Sequence, residues 1–180
     1  MCAKFVKLNK QLLAVICSFK SLLIYNDSLT DKLFKFDIPS DSEWFTCASL
    51  AYCADSSEER IALGTSRGNI YTVSVSGGAF EQVIGFQNKG AENAITCMSS
   101  DPVSKTLCAV TGNGATLMLK IRKTKDWECV VDLGFDWPAL TVDVLLRTQN
   151  LFVIGYASGM VKLVKCDTGR TVCELQAHSR

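Results

Sequence analysis

One pattern occurs four times along this sequence: an apolar run, a short turn rich in small residues, and a second apolar run. In one copy the runs are 61–64 and 70–73, joined by the turn 65–68. The other copies have their paired runs at 12–17 and 22–25, at 107–110 and 117–119, and at 151–155 and 161–164. The turns end at Ser21, Gly68, Ala115 and Gly159, so successive copies lie 47, 47 and 44 residues apart. The fold must therefore accommodate four consecutive units of similar size.

The connections within each unit are too short for a parallel sheet. Continuous apolar runs also occur in buried parallel strands, but those strands need a crossover of roughly a dozen residues. The short turns here allow only antiparallel hairpins. Flanking strands are predicted before the hairpins at 5–8, 45–52, 95–99 and 140–146, and after them at 33–38, 80–86, 129–134 and 171–176. Four-stranded units with a period of about 40–45 residues are typical of propeller blades.

The polarity of the strands supports this interpretation. The first strand of each hairpin is apolar at successive residues, as expected where neighbouring blades cover both of its faces. The outer segments 80–83 and 172–176 mix apolar and polar residues, as expected for strands that reach solvent. One segment favours another structure, because Ser-Asp-Ser-Glu at 40–43 before 44–54 resembles the start of a capped helix. We interpret 45–52 as a strand, because the register of the repeat places a strand there.

Composition excludes several functional classes. Lys and Arg total 19 against 18 Asp and Glu, and a net charge of +1 disfavours a nucleic-acid-binding protein. His178 is the single histidine, so a catalytic triad or a multi-histidine metal site would have to use it. The nine cysteines lack the C-x-x-C spacing of zinc sites and lie mostly in apolar runs, where they act as small buried hydrophobes. We therefore predict no catalytic residue, metal or cofactor.

Many free thiols and the lack of an apolar run of 18 or more residues predict a cytoplasmic protein with no integral membrane segment. Peripheral association with vesicles or membranes is kept as a second interpretation.

The spacing, the turns containing serine and glycine, and the terminal Ala177-His178 resemble the WD-repeat β-propeller family. The resemblance implies an all-β, WD-repeat-type partial propeller of about four blades, each with four antiparallel strands, and a structural role for His178. We expect residues 1–180 to form one partial propeller, with repeats at about 1–40, 41–90, 91–136 and 137–180. No repeat ends its third strand with Trp-Asp, and 66–68 and 157–159 lack the family's turn aspartate. We therefore expect the hydrogen-bonded tetrad of standard blades to be missing, and main-chain pairing and packing to hold the blades.

Two sets of residues are candidates for contacts with partner proteins. Trp44, Phe135 and Trp137 lie in or beside the loops that enter the inner strands, where exposed aromatics are typical of binding hot spots. The alternative is that these rings fill the interfaces between blades. The basic residues Lys120, Arg122 and Lys123 could contact an acidic partner or an anionic membrane surface, or could form a solvated hairpin tip.

The predicted function is a non-enzymatic protein-interaction scaffold that binds partner proteins through its rim loops. One alternative is an enzyme or small-molecule binder that uses acids near the central channel, with Asp101, Asp132, Asp136 and Asp143 as candidates. Another is a truncated chain without a function, since the sequence starts near an inner strand and stops where a further repeat would begin. Four blades leave two apolar end faces, so we expect this chain to form homo-oligomers.

Overall fold

The computed structural model describes residues 2–8, 10–76, 79–83, 93–122, 127–133, 137–145 and 150–178. The first sheet contains β1 (Cys2–Leu8), β2 (Gln11–Cys17), β3 (Ser21–Asn26) and β4 (Lys32–Asp37). The second contains β5 (Phe45–Tyr52), β6 (Glu59–Thr65), β7 (Ile70–Ser76) and β8 (Ala79–Val83). The third contains β9 (Ile95–Asp101), β10 (Thr106–Thr111), β11 (Thr116–Ile121) and β12 (Trp127–Leu133). The fourth contains β13 (Ala139–Leu145), β14 (Leu151–Tyr156), β15 (Met160–Lys165) and β16 (Thr171–Gln176).

Within each sheet the strands follow one another in chain order and pair antiparallel. This confirms the predicted all-β fold of four blades with four antiparallel strands each. The segment 45–52 is a strand, although its sequence also suits a helix. Tertiary packing decides the structure of this segment, because β5 is buried on one side by the first sheet and on the other by the third.

The described side chains form three apolar cores that hold the sheets together face to face, one between each pair of consecutive sheets. Strand β6 contributes to two of them, because successive side chains of a strand point to opposite faces. Ile61 and Leu63 pack against the first sheet, and Ala62 between them packs against the third. Strand β10 does the same, with Leu107 and Ala109 on one side and Cys108 and Val110 on the other. Each large side chain buried in this way stabilises the fold by about 1.5–3 kcal/mol.

The burial pattern confirms the predicted difference between the first strands of the central hairpins and the outer strand β16. Every residue of β10 is buried, and all residues of β6 except the first are buried. In β16 most residues are exposed, as its mixed sequence predicts, and most residues of β4 are exposed as well. The side chains of 80–83, the other segment predicted to reach solvent, lie outside the described residues.

Most of the described cysteines belong to the cores, as their apolar surroundings predict. Cys17, Cys47, Cys53, Cys108 and Cys166 are buried, whereas Cys129 is exposed. Burial raises the pKa of the Cys166 thiol to about 12, with smaller contributions from Asp101 and Asp167. Desolvation also raises the pKa of Cys108 far above its ordinary value. These thiols are therefore neutral at physiological pH and pack as hydrophobic side chains.

Two sheet faces lack a covering sheet among the described residues. On the first sheet Phe5 and Leu12 point away from the core that Val6 and Leu13 enter, and both are largely exposed. On the fourth sheet Leu175 lies opposite Val161 on the face away from the third sheet, and it is 53% exposed. Large apolar surfaces of this kind favour association.

We predict that this 180-residue chain self-associates through these two end faces. Light scattering at micromolar concentrations will give a mass above the 19.7 kDa of one chain. The double substitution Leu12→Glu and Leu175→Glu will lower that mass, because it places charge on both faces. Val103→Glu, in an exposed turn outside them, will not lower it. A monodisperse wild-type monomer would contradict the prediction.

Close packing at Gly64 generates a second prediction. A Cβ atom added at Gly64 would lie 2.7 Å from Sγ of Cys47 and 2.8 Å from Cβ of Ile95, on either side of the second core. At Gly112, in the β10–β11 turn, the nearest atom to an added Cβ would be Cγ2 of Thr96 at 3.8 Å. Gly64→Ala will lower the free energy of unfolding by about 1–3 kcal/mol. Gly112→Ala will change it by less than about 0.5 kcal/mol. Chemical unfolding followed by circular dichroism measures both, and equal effects would show that the sheets do not approach this closely.

Candidate functional site

The turns inside the central hairpins lie at one end of the sheets, together with the segments that enter the inner strands. The same main-chain bond joins them in three sheets: Ser66 N–H donates to the carbonyl of Trp44 at 2.9 Å, Gly112 to Ala94 at 3.0 Å and Ala157 to Pro138 at 2.8 Å. We call this end, formed by 18–20, 38–44, 66–69, 93–94, 112–115, 137–138 and 157–159, the upper rim. The opposite end, which includes 53–58, 102–105 and 122, is the lower rim.

An exposed aromatic pair lies on the upper rim, where the first sheet meets the second. The rings of Phe19 and Trp44 stack with their centroids 5.0 Å apart and their planes 9° from parallel. Phe19 is 61% exposed and Trp44 38%, so the pair presents much of its surface to solvent. Phe19 was not among the residues predicted from the sequence. Its position in the β2–β3 turn depends on contact between two sheets, and no local pattern reveals that contact.

Lys20 fixes the loop that carries Trp44. Its Nζ donates hydrogen bonds to the main-chain carbonyls of Ser40, Asp41 and Glu43 at 2.7, 2.6 and 2.8 Å. An ammonium group has three donors, so these bonds use all of them. Main-chain bonds anchor both ends of the loop, because Ile38 N–H donates to the carbonyl of Lys20 at 2.9 Å and Phe45 N–H donates to that of Phe19 at 3.2 Å.

A buried polar network lies beneath this loop. The carboxylate of Glu43 is 3% exposed and accepts a hydrogen bond from Nδ2 of Asn69 at 2.9 Å. The hydroxyl of Tyr71 approaches its second oxygen at 3.4 Å, and Asn69 N–H donates to Oγ1 of Thr65 at 3.0 Å. In the second sheet these side-chain hydrogen bonds add to the main-chain pairing and packing that the sequence predicts. Side chains other than those of the standard tetrad brace it, because a buried carboxylate needs hydrogen-bond donors.

Trp137 lies on the same rim as Trp44, before the inner strand of the fourth sheet. It is 47% exposed, and neither tryptophan belongs to the three apolar cores. Phe135, the third predicted aromatic, lies outside the described residues.

The predicted basic residues lie at the lower rim, so the structure does not bring them together with the aromatics. Lys120 is the penultimate residue of β11, and Arg122 follows that strand. Arg122 Nη2 donates to Oε2 of Glu128 at 2.6 Å, and this pairing holds the pKa of Glu128 below its usual range. The pair is half exposed, and exposed ion pairs contribute little to stability. Lys123 lies outside the described residues.

Where they are described, the candidate acids of the enzymatic alternative accept hydrogen bonds from neighbouring residues. Oδ2 of Asp101 accepts from the N–H of Ser104 at 2.6 Å, and Oδ1 of Asp143 accepts from the hydroxyl of Ser99 at 3.2 Å. The side chain of Asp132 and all of Asp136 lie outside the described part of the chain. Within the described residues no group of three or more His, Cys, Asp or Glu could hold a metal ion.

The single histidine packs against the β14–β15 turn. The N–H groups of Ala177 and His178 point at the carbonyl of Gly159, at 2.9 and 3.3 Å. A Cβ added at Gly159 would lie 2.5 Å from the carbonyl oxygen of His178. This contact supports a structural role for the segment that contains Ala177 and His178. The described part of the chain contains no helix that is long and apolar enough to cross a membrane.

Comparison with known proteins shows the fold and leaves the family open. No protein-family model matches the sequence, and no curated protein matches it significantly. Among solved structures, Sqt1 of Saccharomyces cerevisiae is similar with a TM-score of 0.73 and 15% identity, over 99% of this chain and 48% of that one. A chain of the mitotic checkpoint complex has a TM-score of 0.69 and 13% identity, over 93% and 48%.

The structure of BBS1N in complex with ARL6DN has a TM-score of 0.65 and 15% identity, over 91% of this chain and 50% of that one. This chain therefore spans about half the length of the structures that it matches. The fold is that of a partial β-propeller.

The buried network generates a prediction about ionisation. Burial raises the pKa of Tyr71, and the charge of Glu43 and its hydrogen bond raise it further. Glu43→Gln will therefore lower the pKa of Tyr71 towards its ordinary value, as measured from the ring carbon shifts of labelled tyrosine. Glu128→Gln, at the lower rim, will leave it unchanged. In the wild type, Tyr71 of the unfolded chain ionises at a lower pH than Tyr71 of the folded chain. The contribution of Tyr71 to the free energy of unfolding is therefore complete below pH 10 and is lost as pH rises through the pKa of Tyr71 in the folded state. An unchanged Tyr71 pKa in Glu43→Gln would show that the two side chains are not in contact.

Proposed function

We propose that this chain is part of a non-enzymatic protein-interaction scaffold of the WD-repeat type, which binds partner proteins through its upper rim. The observation that carries the proposal is the exposed Phe19–Trp44 stack on a loop that Lys20 holds in place. Aromatic side chains are enriched at the centre of interfaces, where a few of them carry most of the binding energy. A loop that is ordered before binding loses little conformational entropy on association.

The position of the stack also suits this function. It lies where two blades meet, and the turns of both blades are anchored by main-chain bonds. Trp137 supplies a further exposed aromatic on the same rim. A partner that spans two or more blades could contact both, and this favours a protein over a small molecule as the ligand.

The comparisons and the sequence support the finer parts of the proposal. Two of the similar structures, the mitotic checkpoint complex and BBS1N with ARL6DN, are assemblies with partner proteins. Segments 61–73 and 153–180 resemble WD repeat-containing protein 54, and we include that relationship in the proposal. A cytoplasmic location and homo-oligomer formation through the end faces belong to it as well.

Substitution on the rim tests the proposal. In cells expressing the tagged chain, we expect cross-linking to capture partner proteins, and Phe19→Ala with Trp44→Ala to remove most of them. Trp137→Ala will remove a partner that reaches the fourth sheet. Leu29→Ala, an exposed apolar residue in the β3–β4 turn away from the upper rim, is the matched control and will retain them. Thermal unfolding will confirm that each variant folds. An unchanged partner set in the double variant would contradict a role for the upper rim.

A further inference from the structure

A cleft at the lower end of the inner strands β1 and β5 is lined by lysines, whereas the upper rim presents exposed aromatic rings. It has a volume of about 420 Å³ and is lined by β1, β5, the β1–β2 turn and Glu59 of β6. Volumes of this size are typical of binding pockets in proteins. Its lining includes Lys4, Lys7, Lys10 and Tyr52. The cleft shares no residue with the Phe19–Trp44 stack.

The charges in the cleft are unbalanced. Lys4, Lys7 and Lys10 are all exposed and face a single carboxylate, that of Glu59. Among the described residues, the three ammonium groups make no hydrogen bond or ion pair. Three lysines near one another repel, and an anionic ligand would relieve that repulsion. The chain as a whole has a net charge of only +1, so this local excess is not a property of the entire surface.

The floor of the cleft is apolar. Val6 of β1 and Leu50 of β5, which belong to or pack against the first core, line it beside the lysines, and Phe5 lines it from the other face of β1. Tyr52 adds a hydroxyl, and burial together with the carboxylates of Glu59 and Asp101 raises its pKa, so the hydroxyl stays protonated and can donate. An apolar floor with a cationic border fits a ligand that carries both carboxylates and apolar side chains. A polyphosphate has no apolar group that could contact the floor, and the carboxylate of Glu59 would repel it.

We propose that this cleft is a second binding site, independent of the upper rim, for an acidic peptide segment of a partner protein in which carboxylates alternate with apolar side chains. The lysines of β1 bind the carboxylates, and the apolar floor takes a leucine or a similar side chain. The strand β1 is an inner edge strand, with β2 as its only partner among the described strands. An extended peptide can therefore lie alongside it.

Fluorescence anisotropy with a labelled octapeptide of alternating aspartate and leucine tests this site. We expect saturable binding to the wild-type chain, weaker at high salt because the charges are exposed. Lys4→Glu with Lys7→Glu will weaken it by about tenfold, since each reversal removes one attraction and adds one repulsion. Lys32→Glu with Lys35→Glu, on the outer strand β4, changes the net charge equally and will retain the wild-type affinity.

Two further measurements distinguish this cleft from the upper rim and from a general anion site. The variant Phe19→Ala with Trp44→Ala will bind the octapeptide with unchanged affinity, so failure of the upper rim and failure of this cleft are distinguishable. A peptide of alternating lysine and leucine will not bind. Equal affinity for inorganic tripolyphosphate or for anionic vesicles, lost in the same lysine variant, would overturn the proposal in favour of a general anion site. No octapeptide binding would show that the lysines only protect the edge of β1 from pairing.

Discussion

The packing of consecutive sheets face to face is the interaction on which the rest of this structure depends. The middle strands β6 and β10 are apolar on both faces, so a single neighbouring sheet cannot bury them. Ile61 and Leu63 need the first sheet, and Ala62 needs the third. Gly64 allows a close approach, with Cys47 on its own sheet and Ile95 on the next. Because interiors of this kind are packed as densely as organic crystals, the sheets have little freedom to slide against one another.

This packing positions the rim. When two sheets are held in register, the turn of one meets the loop that enters the next, and Phe19 stacks on Trp44. The three bonds of Lys20 then stabilise a loop geometry that the sheets have already selected. The same register places β1 beside β5 and leaves the lysine-lined cleft between them at the inner edge. Both proposed binding sites are thus consequences of how neighbouring blades meet.

Much of the fold could be predicted from the sequence, because the hairpins and their period are local features. The strand β5 shows the limit of local reasoning, since 44–54 suits a helix and only the repeat indicates a strand. The candidate site was harder to predict from the sequence than the fold. Trp44 and Trp137 could be assigned to rim loops, but the pairing of Phe19 with Trp44 and of Glu43 with Asn69 joins residues that are distant in sequence. Antiparallel strand order does predict that Lys120 and Arg122 lie at the opposite end from the tryptophans, and this signal was available in the sequence.

The central claim is that the upper rim is ordered before any partner binds, and hydrogen exchange of the isolated chain tests it most directly. The amides of Ile38, Phe45 and Ser66 donate to main-chain carbonyls across the rim, so they should exchange slowly, near the rates of the core strands. Slow exchange at these three amides, with fast exchange at exposed Ser42, is the predicted result. Fast exchange at all of them would contradict the account, because the loop carrying Trp44 would then be mobile and would become ordered only on binding.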